Sequence, residues 1–194
     1  MKSNKIGVPS LDAELPMDEF ICHASEHVEQ MLKAEMSHCE ILTLLARAGE
    51  ALAGPDSSVS ILVLDEDGLL RNGASPNLPS DYLIAIDRLK PDAKVDTCAA
   101  AAATGSVIIT PDFLADDKWA ELRHLPTSLG YVGAWSMPIS VAGGPVLGTF
   151  GTYYRLSRMP TTKERKGVEL LVAAAALVLA KPPSTGIANC SAAL

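Results

Sequence analysis

Residues 98–155 read CAAAAATGSVIITPDFLADDKWAELRHLPTSLGYVGAWSMPISVAGGPVLGTFGTYYR, and this stretch decides the fold. Its alanine run predicts a helix of small residues that Gly105 terminates, followed by a short strand. Two apolar runs, 131–141 and 146–155, predict strands on either side of the turn pair Gly143-Gly144. The stretch therefore predicts a small helix next to a closing antiparallel strand pair.

Four short motifs in this stretch resemble the second half of a bacterial GAF domain, the small sensory module of signalling proteins. They are Ala-Thr-Gly, Asp-x-x-Trp, Trp-Ser-x-Pro-Ile and Thr-Phe-x-x-Tyr-Tyr-Arg, which end at Gly105, Trp119, Ile139 and Arg155. The resemblance covers residues 57–180. It implies a ligand-binding module whose pocket lies between a central sheet and the helix that starts at Cys98.

The rest of the chain has an order of helices and strands typical of an α+β protein. Apolar stripes predict a helix over 17–35 and a second helix that begins at the capping box of Ser37 and Glu40. The β-branched run from Ser57 predicts a hairpin, and hairpins at both ends of a mostly antiparallel sheet predict an α+β fold. With the resemblance, we expect a GAF-like central antiparallel sheet of five to six strands flanked by helices, with the N- and C-terminal helices packed together.

The expected organisation is one domain with two less ordered ends. Residues 1–16 are rich in loop formers and predict a flexible N-terminal arm. Residues 17–181 are expected to form a single GAF-like domain with an N-terminal helical extension, and a capping box of Thr161 and Glu164 opens its last helix. Residues 182–194 begin with two prolines and predict a disordered tail.

Composition and charge exclude several classes of function. Hydrophobic residues make up 48% of the chain, and the net charge of −7 provides no basic field for nucleic acid or anionic lipid. The N-terminus has no signal-peptide pattern, and the longest apolar run, 170–180, is shorter than the roughly 20 residues of a membrane span. Four cysteines without CxxC spacing predict reduced thiols in a cytoplasmic protein.

One half of the predicted ligand site is the start of the small helix, at Cys98, Ala99 and Ala100. Its free N–H groups suit an anion or a carbonyl, and alanines allow a ligand to approach the backbone closely. The resembled families usually have Ser-Cys-Gly-Thr-Ala here, whereas this chain has Thr-Cys-Ala-Ala and no glycine. Packing of Cys98 as a small buried side chain is the competing interpretation.

The other half of the predicted site is a strand and two aromatic side chains. The strand carries Trp135, Met137, Pro138 and Ile139. The first, second and fourth of these share one face by alternation, and the resemblance implies that this strand lines the pocket opposite the small helix. By the same resemblance Trp119 closes the pocket or packs under the loop. Tyr82 lies on a helix that would roof the pocket, with a position on the surface as the alternative for its side chain. Core packing of the strand is the alternative.

No metal, cofactor or catalytic residue is predicted. His23 and His27 have a spacing used in zinc sites, but no third ligand completes a recognised motif. Common hydrolase, kinase and redox signatures are absent from the sequence. The signatures of cyclic-nucleotide-binding and bilin-binding GAF domains are absent as well, which disfavours those two ligand classes.

The sequence thus predicts a sensor rather than an enzyme, one that binds a small polar or anionic metabolite and signals through its terminal helices. The expected partner is a separate signalling protein such as a histidine kinase or a cyclase. The last helix is apolar nearly all round, so a homodimer through a helical bundle is expected as well. Two alternatives stay open: a GAF-fold free methionine sulfoxide reductase that uses Cys98, and a dimerisation scaffold without a ligand.

Overall fold

A computed structural model describes residues 17–182 of the 194-residue chain. Residues 1–16 of the predicted arm and residues 183–194 of the predicted tail lie outside the described residues. The described elements follow in this order: α1 (Met17–Cys22), α2 (Ala24–Lys33), α3 (His38–Ala53), β1 (Ser57–Leu64), β2 (Leu70–Ala74), α4 (Ser80–Ala85), α5 (Thr97–Thr104), β3 (Ile108–Thr110), a 3₁₀ helix (Asp117–Trp119), α6 (His124–Ser128), β4 (Gly133–Ser140), β5 (Val146–Tyr154) and α7 (Thr162–Leu179).

Within residues 17–182, five strands form one antiparallel sheet in the order β2-β1-β5-β4-β3. The central strand is β5, which pairs with β1 along one edge and with β4 along the other. The β4–β5 hairpin turns at Gly143, whose φ of 70° lies in the left-handed region that glycine adopts without strain. The predicted α+β fold with a central antiparallel sheet is confirmed.

Strand alternation gives this sheet two different buried faces. One face packs against α1, α2, α3 and α7, in a core that includes Val59, Ile61 and Phe150. The other face is covered by α4, α5 and the segment between β3 and β4, in a core that includes Leu62 and Tyr153. We call these the helical-bundle face and the α5 face.

The apolar surface of α7 is buried mainly by its own chain. The helix contacts α2, α3 and β4, and Val168, Leu171 and Val178 are buried among them. The predicted packing of N- and C-terminal helices against each other is thereby confirmed. A second subunit is not needed to bury most of α7, although Leu170 remains 43% exposed.

Two helices differ from the sequence-based prediction. The helix predicted over 17–35 is two helices, because the backbone at His23 leaves the helical conformation with φ −110° and ψ 17°. After Asp116 the chain forms a 3₁₀ helix and then α6 rather than one helix. Pro126 has no N–H, so it cannot supply the hydrogen bond that a continuous helix needs there.

The cysteines correct another prediction. Cys22 and Cys98 are free thiols, whereas Cys39 is disulfide-bonded, so the prediction of four reduced thiols is wrong for Cys39. Spacing along the sequence does not show which thiols meet in space. The argument from reduced thiols therefore no longer supports a cytoplasmic location. As to membranes, the helices of residues 17–182 include none that is both long and apolar enough to span a bilayer.

A buried polar network joins β4, β5 and α7 on the helical-bundle face. Trp135 Nε1 donates to the Tyr154 hydroxyl at 2.8 Å, and that hydroxyl donates to Glu164 at 3.2 Å. The Arg158 guanidinium lies 3.6 Å from the centre of the Tyr154 ring and donates to both carboxylate oxygens of Glu164. Burial alone would raise the pKa of Glu164, but hydrogen bonds from Arg158 and Thr161 outweigh burial and lower this pKa to about 2.

Glu164→Gln is expected to lower the free energy of unfolding by about 2 kcal/mol at pH 7, because it breaks the Arg158 ion pair while the capping bonds remain possible. Glu40→Gln is the matched control: Glu40 holds the same position in the capping box of α3 and has no arginine partner within the described residues. It should cost less than about 0.5 kcal/mol.

The pKa of Glu164 is lowered on folding, so its contribution is complete above its ordinary pKa of 4.5 and is lost as the pH falls through about 2. The difference between wild type and Glu164→Gln should therefore shrink from pH 7 to about pH 3. Urea denaturation at both pH values checks this. Equal losses for the two Gln variants at pH 7 would contradict the assigned network.

Candidate ligand site on the α5 face

The start and end of α5 are set by two residues of the sequence. The Asp96 carboxylate accepts a hydrogen bond from the Ala99 N–H at 2.7 Å and caps the first turn. Gly105 ends the helix in the left-handed conformation, with φ of 64°. Because Cys98, Ala99 and Ala100 have short side chains, α5 lies directly on β4 and β5 with all three buried.

The predicted anion seat at the start of α5 is occupied by Asp96 itself. This carboxylate is only 5% exposed and accepts from the N–H groups of Ala99 and Cys98. A second negative group would be repelled strongly at this distance in a buried environment. The Asp96 carboxylate therefore opposes the predicted binding of an anion at these N–H groups.

Two serines on either side of a glycine form a row across three strands beneath α5. Ser60 of β1, Gly151 of β5 and Ser136 of β4 are neighbours in the register. Cys98 Sγ lies 3.2 Å from Ser136 Oγ, and this hydroxyl donates to Thr97 Oγ1 at 2.8 Å. Glycine is required at 151, since a Cβ there would lie 2.9 Å from Cys98 Sγ.

Three buried donors on the α5 face have no hydrogen-bond partner among the described residues. They are the hydroxyls of Ser60 and Thr149 and the Nε1 atom of Trp119. Both hydroxyls lie close enough to the Cys98 sulfur to lower its pKa by weak hydrogen bonding, but neither has a partner with the geometry of an ordinary hydrogen bond. A buried polar group left unpaired costs about 1–3 kcal/mol, so these atoms favour contact with a polar group that can pair with them.

Aromatic side chains fill the rest of the space between the sheet and its cover. We call them the aromatic cluster: Tyr82, Phe113, Trp119, Tyr131 and Tyr153, all of them buried. The Tyr82 hydroxyl donates to the Tyr153 hydroxyl at 3.1 Å, and the two rings meet edge to face with centres 6.0 Å apart. The Tyr131 ring lies 5.6 Å from that of Tyr153. The space above the polar row is therefore occupied by side chains.

Asp96 is a buried carboxyl group whose partners are neutral. Burial raises its pKa to about 6, although hydrogen bonds from the Ala99 and Cys98 N–H groups lower it. Within residues 17–182, no lysine, arginine or histidine forms an ion pair with it. Burial, and to a smaller extent the charge of Asp96, raises the pKa of Tyr82 and of Tyr153. The carboxyl group is thus buried without a cationic partner among the described residues.

The Cys98 thiol is not poised for reaction. Burial, with a smaller contribution from the charge of Asp96, raises its pKa to about 11, and the neighbouring hydroxyls offset only part of this rise. The thiolate is the nucleophilic form of cysteine, so very little of Cys98 is reactive at neutral pH. The environment at the start of α5 therefore raises the pKa of Cys98, whereas a catalytic cysteine needs a lowered pKa.

The structure brings only part of the predicted site together. Tyr82, Cys98, Ala99 and Trp119 belong to one core on the α5 face, with Ala100 buried in the same helix. Trp135, Met137 and Ile139 belong to the core on the helical-bundle face. The prediction that these three line the pocket is wrong, because alternation turns Ser136 toward Cys98 and its two neighbours away.

Pro138 is the predicted strand residue that does lie on the α5 side, opposite Thr149 in the register. Sequence reasoning missed Asp96, Ser60 and Thr149. The polar residues at alternate positions of β1, Ser58 and Ser60, gave a usable signal, since a strand buried on both faces is normally apolar throughout.

The family model described as GAF domain matches residues 35–180 of this chain. The chain belongs to the GAF domain family. Two solved structures are similar to this GAF domain at low sequence identity, and this similarity shows the fold alone. A domain of a two-component sensor histidine kinase from Sinorhizobium meliloti has 20% identity and a TM-score of 0.60, covering 73% of this chain and 89% of that one. The reduced form of fRMsr of Staphylococcus aureus has 12% identity and a TM-score of 0.61, covering 86% and 97%.

A curated relative is more similar in sequence. The methyl sulfide methyltransferase-associated sensor of Methanosarcina acetivorans is 33% identical over 126 residues, which are 64% of this chain and 12% of that protein. This GAF domain therefore corresponds to a small part of a much longer sensor protein. GAF domains of this fold are components of sensors and signalling proteins, which is the coarse function that the sequence predicted.

Asp96→Asn is expected to change how stability depends on pH. The folded pKa of Asp96 is raised, so its favourable contribution is complete below its ordinary pKa of 3.8 and is lost as the pH rises through about 6. The asparagine keeps an acceptor for the Ala99 N–H but carries no charge. From pH 5 to pH 7.5, wild type should lose about 1 kcal/mol more stability than the variant, as checked by urea denaturation. Parallel curves would show that the carboxylate is not buried.

Cys98 is expected to resist alkylation in the folded protein, because its thiol is buried and its pKa is raised. Cys22 is an exposed free thiol and serves as the internal control. Iodoacetamide at neutral pH followed by peptide mass spectrometry should modify Cys22 within minutes and Cys98 only after unfolding. Equal modification of both cysteines would contradict the burial and raised pKa of Cys98 and would favour the reductase alternative.

Proposed function

We propose that this chain is a sensory GAF module that binds a small polar ligand on the α5 face and passes a conformational change to its terminal helices. The unpartnered hydroxyls of Ser60 and Thr149, both fully buried beside Cys98, are the observation that carries the proposal. Two unpaired donors on adjoining strands lower stability without improving the packing. A ligand with an acceptor group would pair with them.

Access to this site requires movement of part of its cover. Tyr82 lies on α4, a helix of six residues. Its hydroxyl donates a hydrogen bond to Tyr153, and this is the polar contact of its side chain with the sheet. Ile84 on the same helix is 77% exposed, so the outer side of α4 has no packing to hold it. Short elements with few buried contacts open at low free-energy cost. We therefore propose that a ligand displaces α4 and Tyr82 first, which opens the aromatic cluster at the side of α5, and that α5 then shifts from Ser60 and Thr149.

The central strand β5 offers a route from the site to the terminal helices. Tyr153 faces the site, and its neighbour Tyr154 faces the helical bundle, where it bonds Trp135 and Glu164 at the start of α7. A shift of Tyr153 on ligand binding would move this strand end and thereby the first turn of α7. Coupling of this kind needs two arrangements of the same packed element.

The proposed signalling partner and dimer of the module rest on a related sensor protein and on an exposed side chain of α7. The relative from Methanosarcina acetivorans is named a sensor, and this chain matches 12% of it. We propose that the signal passes to a signalling protein such as a histidine kinase or a cyclase. The exposed Leu170 on α7 is where we propose that two copies of the module pair as a homodimer.

Two other functions account for fewer of the observations. A free methionine sulfoxide reductase would need a reactive thiolate, whereas burial raises the pKa of Cys98 to about 11. The fold likeness to fRMsr does not change this chemistry. A scaffold without a ligand accounts for the filled aromatic cluster, but it leaves the unpaired hydroxyls of Ser60 and Thr149 without a purpose.

Thr149→Val tests the proposal, because it removes one unpaired hydroxyl and keeps the shape of the side chain. Thr152→Val is the matched control: Thr152 is also on β5, buried and unpartnered, but it pairs in register with Val59 and Trp135, which lie on the helical-bundle face. Both variants should be as stable as wild type or about 1 kcal/mol more stable.

Wild type and both variants are screened by thermal shift against purines, amino acids, nitrate, nitrite and cyclic nucleotides. A ligand present at about a hundredfold its dissociation constant adds about 2.7 kcal/mol to stability. We expect at least one compound to stabilise wild type and Thr152→Val, with a much smaller effect on Thr149→Val. A ligand effect that is equal in both variants would place the site elsewhere, and no effect with any compound would favour the scaffold.

A further inference from the structure

A groove of about 370 Å³ opens at the end of the sheet where β1 ends and β5 begins. Its rim includes His38 at the start of α3 and Lys181 just beyond α7. Its walls include apolar side chains that are only half-buried: Leu64, Val146, Leu147 and Leu179. Apolar surface in contact with water is unfavourable, so a segment that covered these walls would stabilise this end of the domain.

A disulfide-bonded cysteine stands next to this groove in the sequence. Cys39 follows His38 in the first turn of α3 and is disulfide-bonded. The chain contains four cysteines, of which Cys22 and Cys98 are free thiols. Within one chain, Cys190 is therefore the partner that remains for Cys39.

The segment that follows α7 has the reach and the composition to cross the groove. Lys181 on the rim and Cys190 are nine positions apart. An extended chain spans about 3.3–3.6 Å per residue, so this stretch reaches up to about 30 Å. Residues 182–190 include no charged residue and one large apolar side chain, Ile187. An uncharged segment tied beside the groove at both ends is the occupant that these observations favour.

We propose that residues 183–190 lie in this groove, with Ile187 against its apolar walls and a disulfide between Cys39 and Cys190 holding the segment in place. A dithiol reductant releases the segment. Its two thiols supply two electrons and two protons, the bond between Cys39 and Cys190 breaks to give two thiols, and the reductant becomes a disulfide. The groove is thus a surface that oxidation covers and reduction exposes, and it is separate from the ligand site proposed on the α5 face.

Peptide mapping without reduction tests the disulfide. Digestion with trypsin puts the two cysteines in peptides 34–47 and 167–194. In protein purified without reductant, these two peptides should be joined by a disulfide bond. Iodoacetamide should label Cys22 in the same sample and leave Cys190 unmodified. A free thiol at Cys190, or a link between the Cys39 residues of two copies, overturns the proposal.

Hydrogen exchange tests whether the segment covers the groove. The backbone amides of 64–68 and 146–147 should exchange at least about tenfold more slowly before addition of dithiothreitol than after it. The 3₁₀ helix Asp117–Trp119 does not line the groove and is the internal reference, whose exchange should not change. Cys190→Ser should show the fast exchange with or without dithiothreitol. Cys22→Ser is the matched control and should behave as wild type, because Cys22 is a free thiol.

Ile187→Asp separates the packing in the groove from the disulfide. It keeps both cysteines but places a charge against apolar walls, so the groove amides should exchange as fast as in the reduced protein. Ala193→Asp adds the same charge beyond Cys190 and should leave the protection intact.

Three outcomes of these exchange measurements overturn the proposal. They are protection that reduction leaves unchanged, protection that survives Ile187→Asp, and protection that grows with protein concentration, since a second copy would then cover the groove. None of them bears on the ligand proposed for the α5 face, which the Thr149→Val variant tests.

Discussion

The close approach of α5 to the centre of the sheet is the constraint on which the α5 face depends. Gly151 on the central strand leaves room for Cys98, and the alanines of α5 let the helix backbone lie almost on the strands. This approach buries the start of the helix completely. It therefore buries its capping carboxylate, Asp96, which would lie in water if α5 packed at an ordinary distance.

Burial of that one carboxylate sets the electrostatics of the whole face. It opposes an anion at the helix start, and its charge adds to the larger effect of burial in raising the pKa of Tyr82, Tyr153 and Cys98. The Cys98 thiol is the nucleophile that the reductase alternative requires, and this environment keeps it protonated. The same carboxylate therefore disfavours reductase chemistry at Cys98.

The two faces of the sheet differ in chemical character, and the proposed function assigns binding to one and output to the other. The α5 face carries polar and aromatic groups under a short cover, while the helical-bundle face has a mostly apolar core crossed by the network of Trp135, Tyr154 and Glu164. In that network the Tyr154 hydroxyl and Arg158 meet at Glu164, whose lowered pKa keeps its charge down to strongly acidic pH. Tyr153 and Tyr154 are adjacent residues that belong to opposite faces, so the backbone of β5 is the shortest connection between them.

The sequence by itself determined the local elements and the family. Capping boxes at Ser37 and Thr161, the Gly105 helix end and the strand pair around Gly143 depend on interactions within a few residues, so they were predictable and are confirmed. Only the tertiary structure decided which face of β4 meets α5. Alternation fixes that Trp135, Met137 and Ile139 share a face, but not which layer covers it. The burial of Asp96 was equally hidden, because it depends on how closely α5, β5 and α4 pack, and those segments are far apart in sequence.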